Sequence, residues 1–359
     1  MLKTKQKNHV IDALERRKFF KLVCGASLTD VQMIENLSFV FTLAGAHVID
    51  LAPTADVILA ARKGVQKATS HELSRPFGAR LASPTRGERA AAVSPLLMAS
   101  IQLDKDPHFR KIEVDYNLCD VCGACIKVCP TEAFGIKNSE LEYKIERCFG
   151  CGICPSHCHV NALNMVDTKP SPIETLNEMI LLGVKAIEFH FGKNIYKTKE
   201  IWDDIKDLLK SIELISFSIG SDLLSDEELK FAANLCYGLA GEDIILQCDG
   251  KPMSGFSMNS IMGNNNGSSC LHVARVIQEE NLPVYLQISG GTDHNSFNRA
   301  LSSGININGM AVGSYARKLL MPYLNDLDNK VILQEAVQMA ESLVRSVNIE
   351  DGVRKHESG

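Results

Sequence analysis

Eight cysteines in two copies of one spacing restrict this chain more than any other feature. Cys119, Cys122, Cys125 and Cys129 follow C-x2-C-x2-C-x3-C and end at Pro130; Cys148, Cys151, Cys154 and Cys158 repeat the run 29 residues later. In the bacterial ferredoxin arrangement, three cysteines of one run and the fourth of the other hold each [4Fe–4S] cube. Crossed ligation assigns Cys119, Cys122, Cys125 and Cys158 to one cluster, and Cys148, Cys151, Cys154 and Cys129 to a second. A structural zinc site takes four ligands, usually as two CxxC pairs, and leaves the third cysteine of each run unused. A disulfide framework belongs to small secreted domains. Two iron–sulfur clusters are therefore expected.

The flanks repeat with the cysteines. At the same offset Ile112 falls on Leu141, Ala133 on Ala162 and Phe134 on Leu163, so a two-fold ferredoxin-like α+β module is expected over roughly 104–167. The second copy has His159 where the first has Pro130, which alters a turn and removes no ligand. Cys24, Cys236, Cys248 and Cys270 remain, and read as small apolar filler.

The rest of the chain, 1–103 and 168–359, alternates strand and helix. Strands are expected at Phe20–Cys24, His47–Leu51, Leu96–Leu103, Ala186–Phe191, Leu214–Ile219, Ile244–Cys248, Val284–Ile288 and Ile305–Val312. Helices are expected after each, with Thr29 and Gln32 spaced as a capping box for Val31–Ala44, Ser171-Pro172 with Glu174 opening another, and Ser225 with Glu228 a third. Gly45, Gly183, Gly241 and Gly304 stand where left-handed helix ends belong. Eight such repeats imply a (β/α)8 TIM-like barrel interrupted after strand 3 by the ferredoxin-like insert. An open Rossmann sheet is disfavoured because no G-x-G-x-x-G follows an early strand. A segment leaving a barrel strand emerges at the carboxyl face, so the insert should cover the barrel mouth.

Candidate ligand groups cluster at that face. Gly290, Gly291 and Thr292 after the seventh strand, with Gly313 and Ser314 after the eighth, could use backbone N–H groups to hold the phosphate of FMN or another phosphorylated ligand; tight turns would require the same glycines. Lys21, Asp50, Glu188, His190, Gln247, Asp249 and Lys251 lie in or just past strands, and any buried charge among them needs a partner. Asp249 and Lys251 are the best-placed pair, while His190 alone reads as a satisfied structural histidine. No catalytic constellation stands out. The polar stretch Ala68–Ser94 carries arginines but no aromatic platform, and reads as a mobile surface loop with no role in binding nucleic acid. Pro252–Ser268 could be a lid or a plain insertion. No apolar run reaches the ~20 residues of a membrane-spanning helix, and the basic amino end lacks a signal peptide's apolar core. A cytoplasmic protein is expected.

Phe19-Phe20-Lys21-Leu22-Val23-Cys24-Gly25-Ala26-Ser27, Thr42-Leu43-Ala44-Gly45-Ala46, Ile49-Asp50, Asp106-Pro107-His108-Phe109-Arg110-Lys111 and Cys248-Asp249-Gly250-Lys251-Pro252-Met253-Ser254-Gly255 together resemble the cyanobacterial light-dependent period (LdpA) family. The likeness spans nearly the whole chain and departs at Ala68–Ser94 and at the Asn-rich Met262–Ser268. It implies an iron–sulfur protein that reports cellular redox state, and hence light, to the circadian clock through clock-input and clock-core proteins. It carries the cluster ligands onto the eight cysteines. The alternative is an oxidoreductase passing electrons from the clusters to a flavin, quinone or phosphorylated ligand in the barrel mouth.

Overall fold

A computed structural model describes residues 9–71, 94–167, 171–192, 194–220, 224–250 and 268–347. Lys251, nearly all of Pro252–Ser268 and most of Ala68–Ser94 lie outside these residues. Eight parallel strands close a barrel: β1 (Phe19–Gly25), β2 (Val48–Leu51), β3 (Leu96–Gln102), β8 (Ala186–His190), β9 (Leu214–Gly220), β10 (Ile245–Asp249), β11 (Tyr285–Ser289) and β12 (Gly309–Val312), the last pairing with the first. The four short strands β4 (Arg110–Val114), β5 (Phe134–Lys137), β6 (Glu140–Tyr143) and β7 (Leu163–Asp167) belong to the insert between β3 and β8.

Period-two alternation decides what each barrel strand buries. Phe20, Leu22, Ile49, Ile101, Ile187, Phe189, Phe217, Leu246, Ile288 and Val312 share one large apolar core with the surrounding helices. The alternate set begins apolar at the amino-terminal end, where Phe19, Val48, Met98, Ala186, Leu214 and Ile245 pack with Val10 and Leu14 of the leading helix His9–Glu15. That helix plugs the barrel floor. One step up each strand the same set turns polar, as the candidate site below describes.

Local signals explain most helix ends. Gly45 ends its helix in the left-handed region, with φ 88° and ψ 30°, and Gly183 and Gly304 also have positive φ, while Gly241, with φ 78° and ψ −153°, ends its helix outside that region. Ser225 and Glu228 form the expected capping box on the helix Asp226–Ala240. Two further expectations need correction. The cap of Val31–Ala44 is Asp30, whose carboxylate accepts the Met33 N–H at 3.0 Å, instead of Thr29. Thr29 instead turns its N–H to Glu146 O, 2.8 Å away in the insert. The last strand begins at Gly309, not at Ile305, because Ile305 and Ile307 are spent in the turn that enters it.

The insert is built from two copies of one unit. Antiparallel β4–β7 and β5–β6 each join a strand of one copy to a strand of the other. Left-handed backbone recurs at the 29-residue offset: Val121 with Gly150, Gly123 with Gly152, and Glu132 with Asn161. Ile112, Phe134, Leu141 and Leu163 pack with Cys125, Cys148 and Cys154 into a core of its own. So small a core contributes little stability alone, and metal ligation is the usual supplement.

Candidate iron–sulfur site and barrel mouth

Cys148, Cys151 and Cys154 line one pocket together with Cys129 of the other run. Three residues of one copy and the fourth of its mate thus share one pocket, walled by Ile112, Phe134 and Phe149. Cys119 and Cys122 lie close enough to Cys125 to act on its thiol, and Cys158 packs against the same small core. The fourth cysteine of each run is treated alike: Cys129 Sγ accepts the Ala133 N–H and Cys158 Sγ the Ala162 N–H, each at 3.2 Å. Amide hydrogen bonds to sulfur are among the levers that set a cluster's potential.

The chemistry of this donor set fits iron. Burial pushes the Cys154 thiol up, and repulsion from Cys151, Cys148 and Cys129 adds to it. Burial lifts Cys151 to about 11. Without a cation these sulfurs would be held as thiols at neutral pH; a cluster takes them as thiolates, so loading releases protons.

The second run faces the barrel. Phe149, next to Cys148, joins the barrel's apolar core, and its ring lies 4.6 Å from the guanidinium of Arg317. Arg317 is buried on the helix Ser314–Leu320 and donates to Val23 O at 2.7 Å and Cys24 O at 2.8 Å. Arg147 pairs with Asp30 at 2.9 Å. Lys111 donates to Ile145 O at 2.8 Å and Cys148 O at 2.6 Å, and also to Ser27 O. These contacts place the insert on the carboxyl ends of β1 and β12. The first run lies toward solvent, with Cys122 exposed.

Beneath it the barrel interior is charged. Lys21, Asp50, Ser100, Glu188, Ser216, Gln247 and Gln287 are buried, and above them Gln102, His190, Ser218, Asp249 and Ser289. Barrels ordinarily fill these layers with branched apolar side chains. Lys21 pairs with Glu188, which also accepts from Ser216 at 2.9 Å and Gln247 at 2.8 Å. Gln287 donates to Gln247 at 2.6 Å, and Ser100 to Asp50 at 2.8 Å. Burial would raise Glu188, but Lys21 and His190 together outweigh it and hold the carboxyl well below its usual range. Asp50 is pushed up to about 6 by burial and by Glu188. Two neighbouring carboxylates thus share one lysine, and their affinities for protons separate.

Asp249 is buried and accepts from Ser218 and, at 3.2 Å, from Gln247, so it is neither a solvated loop residue nor a strand-end ion pair among the described residues. Its expected partner Lys251 is outside them. His190, expected as a satisfied structural histidine, has Glu188 Oε1 3.3 Å from Nε2 and Asp106 Oδ2 3.9 Å from Nδ1. Its ring is buried, and neither of these contacts has hydrogen-bond geometry. It stands beside His108 and Asp106 of the lead-in to the insert, with ring centroids of the two histidines 5.4 Å apart. Spacing could not reveal this cluster, because its members come from different elements.

The two glycine turns are neighbours. Thr292 donates to Ala311 O at 2.5 Å, tying the turn after β11 to β12, and Ser314 opens the helix after Gly313. Gly290 and Gly291 both have φ of 75°. A side chain on Gly290 would come within 2.6 Å of the Gly250 nitrogen, so close strand-end packing by itself requires glycine there. Cys24, Cys236, Cys248 and Cys270 are buried, as filler should be.

Residues 179–352 match the family model of the Light dependent period A C-terminal domain, and residues 111–159 that of a 4Fe-4S dicluster domain. A curated relative, Light dependent period A of Synechococcus elongatus, is 28% identical over 354 residues, covering 93% of this chain and 92% of its own. Among solved structures, the YdjI aldolase of Escherichia coli is 10% identical, with 96% of this chain and 93% of the other covered and a TM-score of 0.43. The tryptophan synthase α-subunit of Pyrococcus furiosus is 12% identical, with 92% and 97% covered and a TM-score of 0.42. Superposition at that level carries no argument, and the barrel rests on its own strand order.

Proposed function

We propose that the chain is a member of the Light dependent period A family, whose C-terminal domain model matches residues 179–352 beside a 4Fe-4S dicluster domain, and that it senses cellular redox state and passes the signal to a circadian clock. Two [4Fe–4S] clusters serve as the sensor. Cys119, Cys122, Cys125 and Cys158 hold an outer one, and Cys148, Cys151, Cys154 and Cys129 an inner one. Residues 104–167 act as a ferredoxin-like domain seated on a barrel formed by 1–103 and 168–359. The partners are clock-input and clock-core proteins in the cytoplasm.

One observation carries the reading: the inner run touches the barrel through buried charge, with Phe149 over Arg317. Reduction adds negative charge to a cluster, and a buried cation nearby responds strongly because screening is weak there. The charge state of the inner cluster can therefore bias how segment 25–30 and the Ser314–Leu320 helix pack. A partner reading that surface needs no catalysis.

The charged barrel interior favours a second reading, in which electrons pass to a flavin, quinone or phosphorylated ligand held near Asp249, Lys251, Gly290, Gly291, Thr292, Gly313 and Ser314. Hydrogen exchange on anaerobic protein, oxidised and then reduced with dithionite, separates the two. The sensor predicts altered protection in segments 25–30 and 314–320 and cluster absorption without flavin. Unchanged protection, with a bound flavin or reoxidation stimulated by a small acceptor, would replace it with the enzyme.

A further inference from the structure

We propose that Asp106, His108 and His190 bind one divalent transition-metal ion at the barrel mouth, separate from the iron–sulfur cysteines. Their ligand atoms all lie within 4.8 Å of one another. His108 Nδ1 is 2.6 Å from Asp106 Oδ1, and His190 Nδ1 is 3.9 Å from Asp106 Oδ2. Bonds of 2.0–2.2 Å to a tetrahedral ion place ligand atoms about 3–3.5 Å apart, so modest side-chain rotations close the site. Glu188 Oε1, 3.3 Å from His190 Nε2, stands behind the ring and can fix its orientation once Nδ1 is taken by a metal.

One feature points to a missing cation. His190 is only 4% exposed, and its ring nitrogens have only off-geometry contacts among the described residues, Nε2 at 3.3 Å from Glu188 and Nδ1 at 3.9 Å from Asp106. A buried imidazole left so costs free energy unless a ligand completes it.

Donor type narrows the ion. Two imidazoles and one carboxylate suit Zn²⁺, Fe²⁺, Mn²⁺ or Co²⁺, whereas Ca²⁺ and Mg²⁺ want a full shell of oxygen. Three protein ligands leave at least one position for water or a small ligand, as in catalytic metal sites. His108 keeps 32% of its side chain exposed and gives an entry path. It must shed the proton it shares with Asp106, so binding releases a proton. The site also has a mechanical consequence. Asp106 and His108 begin the insert while His190 ends β8, so the ion would pin the insert to the barrel.

The test uses the anaerobically purified, cluster-loaded chain after brief chelation. It is equilibrated with Zn²⁺, desalted and assayed for zinc and iron, and zinc X-ray absorption reports the ligand atoms. About one zinc per chain should be retained, in a nitrogen–oxygen shell with imidazole scattering and a raised melting temperature. His190→Gln and Asp106→Asn should each weaken zinc binding at least about tenfold while leaving iron content unchanged. No retained zinc, zinc on sulfur, or both variants binding like the parent would overturn the site. Because iron is measured on the same samples, failure here is distinguishable from failure of the cluster assignment.

Discussion

Arg317 holds a positive charge beneath the inner cysteine run while only 2% exposed. Burial pulls its pKa down to about 10, with Cys24 and Cys151 partly restoring it, so it stays charged at neutral pH. Under the proposed ligation, Arg317→Met removes a cation close to the inner cluster and should lower that cluster's midpoint potential by on the order of tens of millivolts. It also strips partners from two carbonyls, Val23 and Cys24, at a cost of about 1–3 kcal/mol. Redox titration monitored by EPR checks the first, and an unchanged potential would remove Arg317 from the sensor. His47 offers a pH signature. Its Nδ1 accepts the Phe20 N–H at 3.2 Å, and burial, with His9 nearby, pushes the ring down to about 4. Between about 4 and 6.5 the unfolded chain binds a proton that the folded chain refuses. Stability from this site is therefore complete above pH 6.5 and is lost as pH falls toward 4, at up to about 1.4 kcal/mol per pH unit. His47→Gln keeps an acceptor without the titration. The advantage of the parent over this variant in urea unfolding should shrink between pH 7 and pH 5; a constant difference would mean that His47 does not titrate as described.

At the scale of elements, the helices Val31–Ala44 and Ala55–Ser70 meet at Gly64, where a Cβ would lie 2.2 Å from Glu35 O. Gly64→Ala should therefore cost about 1–3 kcal/mol by forcing the pair apart, despite alanine's better helix propensity; thermal denaturation showing a gain would refute the close approach. The same contrast explains what the sequence could and could not reveal. Apolar alternation, capping serines and left-handed glycines are local, so the eight barrel strands, the insert after β3 and most helix ends were legible. Asp30 was missed as a cap because Thr29 and Gln32 satisfied the capping pattern one residue earlier, and only the fold shows Thr29 spent on Glu146. The spacing rule places Cys129 with the second run, and Cys129 lines the pocket of Cys148, Cys151 and Cys154. The Asp106–His108–His190 cluster does not follow from spacing, because its members meet only through tertiary packing of the insert on β8.

For the whole molecule, the two parts divide the work. The barrel has its own floor, core and closed sheet, so a chain with 104–167 replaced by a short linker should fold as a barrel, though less stably, since Phe149 leaves its core. Far-UV circular dichroism of an unfolded product would show that the division is wrong. The insert has the opposite dependence, with a small apolar core built around cysteine sulfurs. The measurement that bears most directly on the account is iron and acid-labile sulfide in anaerobically purified parent and Cys129→Ala. Crossed ligation predicts about eight of each per parent chain. It also predicts selective loss of the inner cluster in the variant, which leaves about four irons whose EPR signal no longer responds to Arg317→Met. A parent chain that holds zinc or no iron, or a Cys129→Ala chain that keeps the inner cluster and loses the outer, would contradict it.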